Sequence, residues 1–187
     1  MEVALEVFRE QGFEAASMSQ IAARVGGSKA TLYNYFSSKE ELLLEAMLSG
    51  AKKYADEVLA LLDVSNDLPT QLQHFVSSLL KVIHSAETIE ILRVAISVGG
   101  TSDIGHRFYM LGTKDVWQQI AQLLQKEIDA RKLRDGDADT MAMHLRCLCE
   151  ADLIRNLMGA SDLLTEAEAQ TRAACTVKVF LRAYGAS

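Results

Sequence analysis

The stretch from Ser28 to Phe36 carries residue types that can contact the edges of DNA bases, spaced so that they share one face of a short helix. Leu32 and Phe36 are four residues apart and therefore lie on the same, apolar face. A rotation of about 100° per residue turns the opposite face outward. The residues on and beside that outer face are Ala30, Thr31, Tyr33 and Asn34. The amide of Asn34 can pair with adenine, and a methyl-bearing neighbour can touch the thymine methyl in the major groove.

Two capped helices separated by a glycine turn position this face. Ser17 and Gln20 have the spacing of a capping box at the start of the first helix. Gly26 and Gly27 end that helix, and Ser28 is suited to cap the next one. The buried stripe of the first helix comprises Ile21, Ala22 and Val25. This order of elements is the layout of a helix-turn-helix, whose second helix enters the major groove.

A helix pair with a glycine turn also occurs in all-helical proteins that have no DNA function. In that alternative the pair docks another protein, and Tyr33 and Tyr35 are half-buried packing residues. Lys39 then simply pairs with a glutamate. The layout alone leaves both interpretations open.

The composition and periodicity of the whole chain predict an all-α fold. The chain has 187 residues, of which 49% are hydrophobic, and its eleven Gly and one Pro are too few for the turns of a sandwich or barrel. Apolar residues recur every three or four positions in about nine segments, and no segment alternates with a period of two. We expect a three-helix helix-turn-helix domain over residues 1–45. Residues 46–187 are predicted to form a larger helical domain for ligand binding and dimerisation.

The helices of the larger domain can be delimited from their apolar stripes. A long fourth helix connects the two domains, with the stripe Leu43, Met47, Gly50, Tyr54, Val58 and Leu61. A polar loop at 64–67 and Pro69 precede the fifth helix. The last three helices are predicted over 104–132, 138–158 and 166–184, and the final two are apolar on more than one side or rich in small residues. Those two are the predicted homodimer interface, in the form of a two-fold four-helix bundle.

The charge balance excludes attraction of DNA through the overall field of the protein. The 25 acidic and 19 basic residues give a net charge of −6, and residues 1–50 contain four basic and seven acidic side chains. A local patch with few phosphate contacts must therefore supply any affinity for DNA. The first residues lack the apolar core of a secretory signal, and no stretch of about 18 uncharged apolar residues exists. We expect a cytoplasmic protein without a membrane partner.

No spacing of ligands or nucleophiles predicts a metal site, a cofactor or an enzyme. The three cysteines are Cys147, Cys149 and Cys175, and they lack the paired spacing of a zinc site. Cys147 and Cys149 are two residues apart on a helix and point about 200° away from each other. The four histidines form no metal-binding motif, and the Gly-Gly-Thr-Ser run at 99–102 lacks the strand that a phosphate loop requires.

The larger domain offers apolar walls and a few polar groups, which is the composition of a small-molecule site. The candidate ligand-binding residues are Phe75, Phe108, Met110, Trp117, Met141 and His144. The alternative for each of them is an ordinary core position, because methionines and aromatics at helical spacing usually pack inside. Trp117 and Phe108 are the strongest candidates, since large rings can wall a cavity.

Four charged residues stand on the otherwise apolar predicted helix 138–158. The simplest interpretation is two intrahelical ion pairs, Arg146 with Glu150 and Asp152 with Arg155, because isolated buried charges would be too costly. Pairing across a subunit interface and contact with a charged effector are the alternatives.

The stretch from Phe8 to Met47 resembles the N-terminal domain of the tetracycline-repressor (TetR) family of bacterial transcription regulators. The matching elements are Phe8, Gly12-Phe13, Ser17 before Ile21-Ala22, Ser28-Lys29 before Thr31-Leu32-Tyr33, Tyr35-Phe36 and Lys39-Glu40-Glu41-Leu42. The segment HRFYMLG at 106–112 and the turn at 131–139 resemble the AefR/AcrR-like branch of that family. The pattern departs from the family at Gly27, where a branched apolar residue is usual, and before Ala4, where several more, often basic, residues are usual.

The resemblance implies a homodimer that binds double-stranded operator DNA and is controlled by a small-molecule effector. Ser17 and Ser19 would hold phosphate at the start of the first motif helix, which is the second helix of the chain. The residues that would present the recognition helix to the major groove are Ser28, Lys29, Ala30, Thr31, Tyr33 and Asn34, with Tyr33, Tyr35 and Lys39 also contacting phosphates. The predicted function is a ligand-responsive repressor released from a near-palindromic operator by a hydrophobic effector. The alternative is an all-helical small-molecule carrier or enzyme without DNA function.

Overall fold

The computed structural model describes residues 1–60 and 67–186, and these residues form helices joined by short turns. The helices are α1 (Glu2–Gln11), α2 (Met18–Val25), α3 (Lys29–Tyr35), α4 (Lys39–Ala60), α5 (Leu68–Ile83), α6 (Ala86–Gly99), α7 (Ile104–Phe108), α8 (Lys114–Asp129), α9 (Ala138–Cys149), α10 (Leu153–Leu157) and α11 (Glu166–Tyr184). Within these described residues the only β pairing is an isolated bridge between Leu133 and Gly185. The predicted all-α fold is therefore confirmed.

The first three helices begin and end where the sequence predicts. The Ser17 hydroxyl accepts the backbone N–H of Gln20, and the Gln20 side chain accepts the Ser17 N–H, so the predicted capping box is present. Ser28 caps α3 by accepting the N–H of Thr31 at 3.0 Å. Gly26 ends α2 in the left-handed region, with φ of 79°, which a residue with a side chain adopts only with strain.

The long fourth helix is present over Lys39–Ala60. Leu61 of its predicted stripe and residues 64–66 of the predicted polar loop lie outside the described residues. The next helix, α5, is capped by Asp67, whose carboxylate accepts the Thr70 N–H at 3.0 Å, and Pro69 occupies its first turn. A proline is tolerated there because the first-turn N–H groups have no intrahelical acceptor.

The chain divides into two compact units, of which the first comprises Met1–Lys53 and Glu90–Gly112. Its core joins the helix-turn-helix to α4, α6 and α7. The fully buried side chains of this core include Phe8, Ile21, Leu43, Met47 and Ile104. Arg9 of α1 also forms an ion pair with Glu90 of α6 at 2.8 Å. The motif is thus supported by residues far beyond the first 45.

The second unit comprises Tyr54–Ile89 and Thr113–Ser187. Within it, α11 packs against α5 and α9, and α8 packs against α9. The core of this unit includes Leu72, Phe75, Ile120, Leu145 and Phe180. At its end the chain returns to the turn after α8, where the Arg134 N–H donates to the Tyr184 carbonyl at 2.8 Å.

Two predicted helices are interrupted in the structure. The predicted helix over 104–132 contains a π turn at Tyr109–Thr113 and ends at Asp129. This wider turn includes Gly112, which brings no side chain into it. The predicted helix over 138–158 breaks after Cys149 and restarts at Leu153, where Asp152 pairs at 2.5 Å with Arg172 of α11.

The two predicted ion pairs around this break are present. Arg146 lies 2.9 Å from Glu150, and Arg155 lies 3.4 Å from Asp152. Cys147 is exposed whereas Cys149 is buried, as the predicted opposite orientations require. Burial raises the pKa of the Cys149 thiol to about 12, so this thiol stays protonated and unreactive at neutral pH. Over the residues that the structure describes, no helix combines the length and the apolar character needed to span a bilayer.

Candidate nucleic-acid interface

The start of α2 presents backbone donors beside two serines. Ser17 is half-buried, and its hydroxyl is engaged with the Gln20 side chain at 2.8 Å as well as with the Gln20 N–H. Ser19 is exposed as the second residue of α2, in the first turn, where the N–H groups have no acceptor within the helix. A helix N-terminus of this kind attracts a phosphate through its N–H groups and its dipole. The cap occupies the Ser17 hydroxyl, so Ser19 and the backbone are the groups at hand for an anion.

The second helix of the motif, α3, is anchored only through its inner face. None of its residues is fully buried, and Leu32 and Phe36 are partly buried against the core of the first unit. Their neighbour Thr31 shares a hydrogen bond of 2.8 Å with the Ser28 hydroxyl. The Thr31 hydroxyl is thus held at the cap, and its methyl group is left for an apolar contact.

The outer face of α3 is exposed to solvent, as the helical spacing predicts. Tyr33 and Tyr35 are 44% and 76% exposed, which is unusual for such large rings. Exposed polar and small residues accompany them, namely Lys29, Ala30, Thr31 and Asn34. The Lys29 ammonium lies 5.7 Å from the centre of the Tyr33 ring, within the range of a cation–π contact. The rings, the amide and one cation therefore form a single accessible surface.

The cations of the motif are mostly engaged within the protein. Arg24 donates to both carboxylate oxygens of Glu10, at 2.5 and 3.0 Å, and Arg9 is paired with Glu90. Hydrogen bonding from Arg24 lowers the pKa of Glu10, which keeps this carboxylate charged. Of the four basic residues before residue 50, Lys29 is the one carried by α3, where it is exposed beside Tyr33. Sequence reasoning missed the Arg24 pairing because its partner lies fourteen positions away on another helix.

Lys39, at the start of α4, has a geometry that its residue type does not predict. Its ammonium donates to the backbone carbonyls of Phe13 at 2.7 Å, Ala16 at 3.1 Å and Glu14 at 3.3 Å. The same ammonium lies 4.3 Å from the centre of the Phe13 ring. These contacts are with backbone carbonyls and an aromatic ring, whereas the protein-docking alternative predicts an ion pair between Lys39 and a glutamate. A direct contact of Lys39 with phosphate stays a prediction.

The first turn of α4 is held by hydrogen bonds next to Lys39. Ser37 donates its N–H and its hydroxyl to Glu41, at 2.7 and 2.5 Å, and these bonds lower the pKa of Glu41. The hydroxyl of Ser38 accepts the Glu41 N–H at 3.1 Å. These local hydrogen bonds fix the chain between α3 and α4. The end of α3 is therefore held in place, as its capped start is.

The predicted effector-contacting residues fall in both compact units. In the second unit, Phe75 and Met141 are buried, and Trp117 is half-buried with its ring edge-on to Phe75 at 6.4 Å. His144, also in that unit, is exposed and hydrogen-bonded through Nδ1 to the Tyr184 hydroxyl. In the first unit, Phe108 is buried and Met110 is 38% exposed in the π turn.

A capped two-helix motif with an exposed polar outer face, seated on a helical core, defines the class of helix-turn-helix DNA-binding proteins. Family comparisons agree. Residues 1–46 match the family described as bacterial regulatory proteins, tetR family, and residues 70–186 match the AefR-like transcriptional repressor, C-terminal domain. The chain belongs to the TetR family of transcriptional regulators, on its AefR-like branch.

Individual relatives support this assignment. The chain is 30% identical over 152 residues to the HTH-type transcriptional regulator BetI of Rhizobium meliloti, a match that covers 81% of this chain and 65% of BetI. The chain therefore spans slightly less than two thirds of the length of that relative. These family members are regulators of transcription rather than enzymes.

Solved structures extend the likeness over nearly the whole chain. A TetR-family transcriptional regulator from Mesorhizobium loti superposes with a TM-score of 0.87 at 26% identity. The flavonoid-responsive regulator FrrA superposes with a TM-score of 0.81 at 29% identity. Each comparison covers 98% of this chain and 94% of the other.

Proposed function

We propose that this protein is a dimeric, ligand-responsive transcriptional repressor that binds a near-palindromic operator through α3. The observation that carries the proposal is the exposed outer face of α3, capped by Ser28 and anchored by Leu32 and Phe36. A helix held in this way can enter the major groove, which is about 12 Å wide, without losing its packing.

The proposed DNA contacts divide into those that select bases and those that hold the backbone. Asn34 reads a base by hydrogen bonding, and the methyl groups of Ala30 and Thr31 contact thymine. Tyr33, Tyr35 and Lys29 contact phosphates from the same helix. The first turn of α2 adds Ser19 and backbone N–H groups, because the Ser17 hydroxyl is engaged in the cap. Because few cations take part, affinity depends on dimerisation and on helix dipoles as much as on side-chain charge.

The proposed dimer forms through α9, α10 and α11, the segments that correspond to the predicted last two helices. These helices expose the large apolar side chains Met143, Ile154 and Val179, and the segment between α10 and α11 exposes Met158 and Leu163. A surface of this kind is costly to leave in water, and a two-fold partner offers the same apolar residues in return. Dimerisation would set the two copies of α3 about 34 Å apart, one turn of DNA.

The proposed effector is a small, largely apolar molecule bound in the helical second unit. Trp117, Phe75 and Met141 are the contacts we favour, because the rings of Phe75 and Trp117 meet edge-on and all three residues lie in or against the core of this unit. The exposed positions of His144 and Met110 make them weaker contacts. Because the similar FrrA is named as flavonoid-responsive, flavonoids are the first class of compound to test. The effector must bind better to the conformation that fits DNA poorly, since equal affinity would shift nothing.

The proposal also covers the location of the protein and whether it represses or activates transcription. A repressor works where its operator is, so the proposal includes a cytoplasmic location. Repression is favoured over activation because the matched C-terminal family is described as a repressor domain. A promoter–reporter assay with the gene deleted gives higher expression for a repressor and lower expression for an activator.

Binding to the DNA upstream of its own gene, measured by gel shift, tests the proposal. A shift that a scrambled fragment does not reproduce, and that weakens with salt, is expected. The chain has a single Trp, so quenching of Trp117 fluorescence by a flavonoid such as quercetin reports effector binding independently. Trp117→Leu should reduce release by the flavonoid while leaving DNA affinity unchanged. Absence of any sequence-dependent shift at low salt, together with turnover of a metabolite, would favour the carrier or enzyme alternative.

A further inference from the structure

The ammonium of Lys39 is fully used inside the first unit. An ammonium has three N–H donors, and this one has three backbone carbonyl acceptors, on Phe13, Glu14 and Ala16, at 2.7, 3.3 and 3.1 Å. The Phe13 ring supplies a fourth contact at 4.3 Å. To contact a phosphate directly, Lys39 would have to give up at least one of these bonds.

The three carbonyls belong to the loop at 12–17 that joins α1 to α2. Carbonyl oxygens that converge on one point repel one another unless a cation or donors lie between them. Lys39 provides both, and it reaches the loop from the first residue of α4. The loop is further fixed by Phe13, which packs on Phe8 with the ring centres 5.8 Å apart.

The end of this loop is the cap of α2. Ser17 follows Ala16 directly, and its extended backbone, with φ of −127°, sets the direction in which α2 begins. The first turn of α2 is the proposed phosphate-binding turn. A clamp on the preceding carbonyls therefore determines where those N–H groups point.

We propose that Lys39 is a positioning residue for DNA binding, which clamps the loop at 12–17 and so orients the first turn of α2, rather than a phosphate ligand. The expected effect on DNA binding rests on the proposed function, whereas the clamp of Lys39 on the loop does not. It predicts that removal of the ammonium loosens the loop and weakens binding without removing a phosphate contact.

Lys39→Met is the test, because methionine keeps the apolar stem and loses the charge. Amide hydrogen exchange over residues 13–17 should become about tenfold faster or more, as charge-assisted hydrogen bonds are lost. Affinity for upstream DNA should fall by about tenfold, while the slope of log affinity against log salt stays at the wild-type value.

Lys29→Met is the matched control. It removes an exposed cation from α3, so it should lower the salt slope by about 0.9 per protomer while exchange over residues 13–17 stays unchanged. If Lys39→Met instead lowers the slope as Lys29→Met does and leaves loop exchange unchanged, Lys39 is a phosphate ligand and the proposal is overturned. Unchanged DNA affinity in Lys39→Met overturns it as well.

Two measurements keep the proposal testable if Lys39→Met does not fold. Phe13→Leu keeps the three carbonyl acceptors of Lys39 and removes only the ring. Amide exchange over residues 13–17 should therefore become faster by less than the roughly tenfold change expected on loss of the ammonium. In the wild-type protein, the ζ-ammonium resonance of Lys39 should be protected from solvent exchange both without and with DNA. Protection that appears only when DNA is added would contradict the clamp. If the wild-type protein binds no DNA, the proposed function fails, but the exchange data still decide on the clamp.

Discussion

Glu10 of α1 and Arg24 of α2 are joined by two hydrogen bonds, so that both guanidinium nitrogens of Arg24 face the same carboxylate. Glu6 adds a third contact at 3.7 Å from Arg24. The pair connects the first helix to the last turn of α2. It also cancels one of the few positive charges of a motif in which acidic residues outnumber basic ones. The charge available for DNA is therefore set by contacts within the protein.

Glu10→Gln should strengthen DNA binding. The substitution removes a negative charge and releases Arg24, so affinity for any duplex should rise by about two- to threefold at low salt, with the gain shrinking as salt increases. Fluorescence anisotropy with a labelled duplex measures it. Glu2→Gln is the control, because it removes the same charge from α1 at an exposed position. An equal gain in both variants would show that Arg24 contributes nothing.

Asn34→Ala should relax base preference. Loss of an amide that pairs with a base costs about 1–3 kcal/mol at one base pair of each half-site, whereas the salt slope should stay unchanged. Competition between the operator and its single-base variants measures both effects. An unaltered ranking of those variants would mean that another face of α3 reads the bases.

Ser28→Ala should destabilise the recognition helix. The Ser28 hydroxyl accepts the Thr31 N–H and holds the Thr31 side chain, and loss of such a cap costs about 1 kcal/mol. Because α3 has no fully buried residue, the loss should appear as fraying of α3, seen by amide exchange, and as weaker DNA binding. Ser28→Asp, which restores a capping acceptor, should recover the helix but not the DNA affinity, since it adds a negative charge.

The local features of the motif could be predicted because they depend on residues three or four positions apart. The cap at Ser17, the cap at Ser28 and the inward pair of Leu32 and Phe36 are all of this kind. The Arg146–Glu150 pair is another. Periodicity and cap chemistry are sufficient to specify such contacts.

The features that escaped prediction depend on contacts between distant elements. Lys39 binds backbone carbonyls, which every residue carries, so no residue type signals its partners. The helix that was predicted to continue to residue 158 breaks where Arg172, twenty positions further along, pairs with Asp152. The contribution of α6 and α7 to the core of the first unit likewise has no local signal.

His84 should make the stability of the protein depend on pH. It is 2% exposed, and its Nδ1 accepts a hydrogen bond from the Asn156 amide at 2.9 Å, an amide whose oxygen in turn accepts from Ser161. Burial lowers the pKa of His84, and the charge of Arg172 lowers it further against the opposing effects of the Cys149 carbonyl and Asp152. His84 is therefore neutral in the folded protein at neutral pH.

Protonation of His84 is favoured in the unfolded chain, so acid destabilises the fold through this residue. Stability should fall as the pH drops below about 6.5 towards the folded pKa, by at most about 1.4 kcal/mol per pH unit. Urea unfolding between pH 7 and pH 5, above the range of ordinary carboxylates, measures it. His84→Gln should flatten this dependence, whereas His74→Gln, at an exposed position on α5, the helix that His84 follows, should preserve it. Equal pH profiles for His84→Gln and the wild type would refute the assignment.

Charges placed on the proposed dimer face should dissociate the dimer. Ile154 and Val179 are 65% and 45% exposed on α10 and α11, and aspartate at both positions should weaken dimerisation on the order of 100-fold. Sedimentation velocity over a concentration series measures it. Ile96→Asp, at a 64% exposed position on α6, is the control and should leave the dimer intact. A dimer that tolerates both aspartates would place the interface elsewhere.

Selection of bound sequences from a random duplex pool tests the central proposal, a symmetric pair of α3 helices in successive major grooves, most directly. The selected DNA should contain two inverted half-sites whose centres lie about 10 base pairs apart or a multiple of that spacing. Selection should fail for a Tyr33→Ala, Asn34→Ala double variant that still dimerises. Enrichment of a single unpaired site, or of no site at all by a folded dimeric protein, would contradict the account.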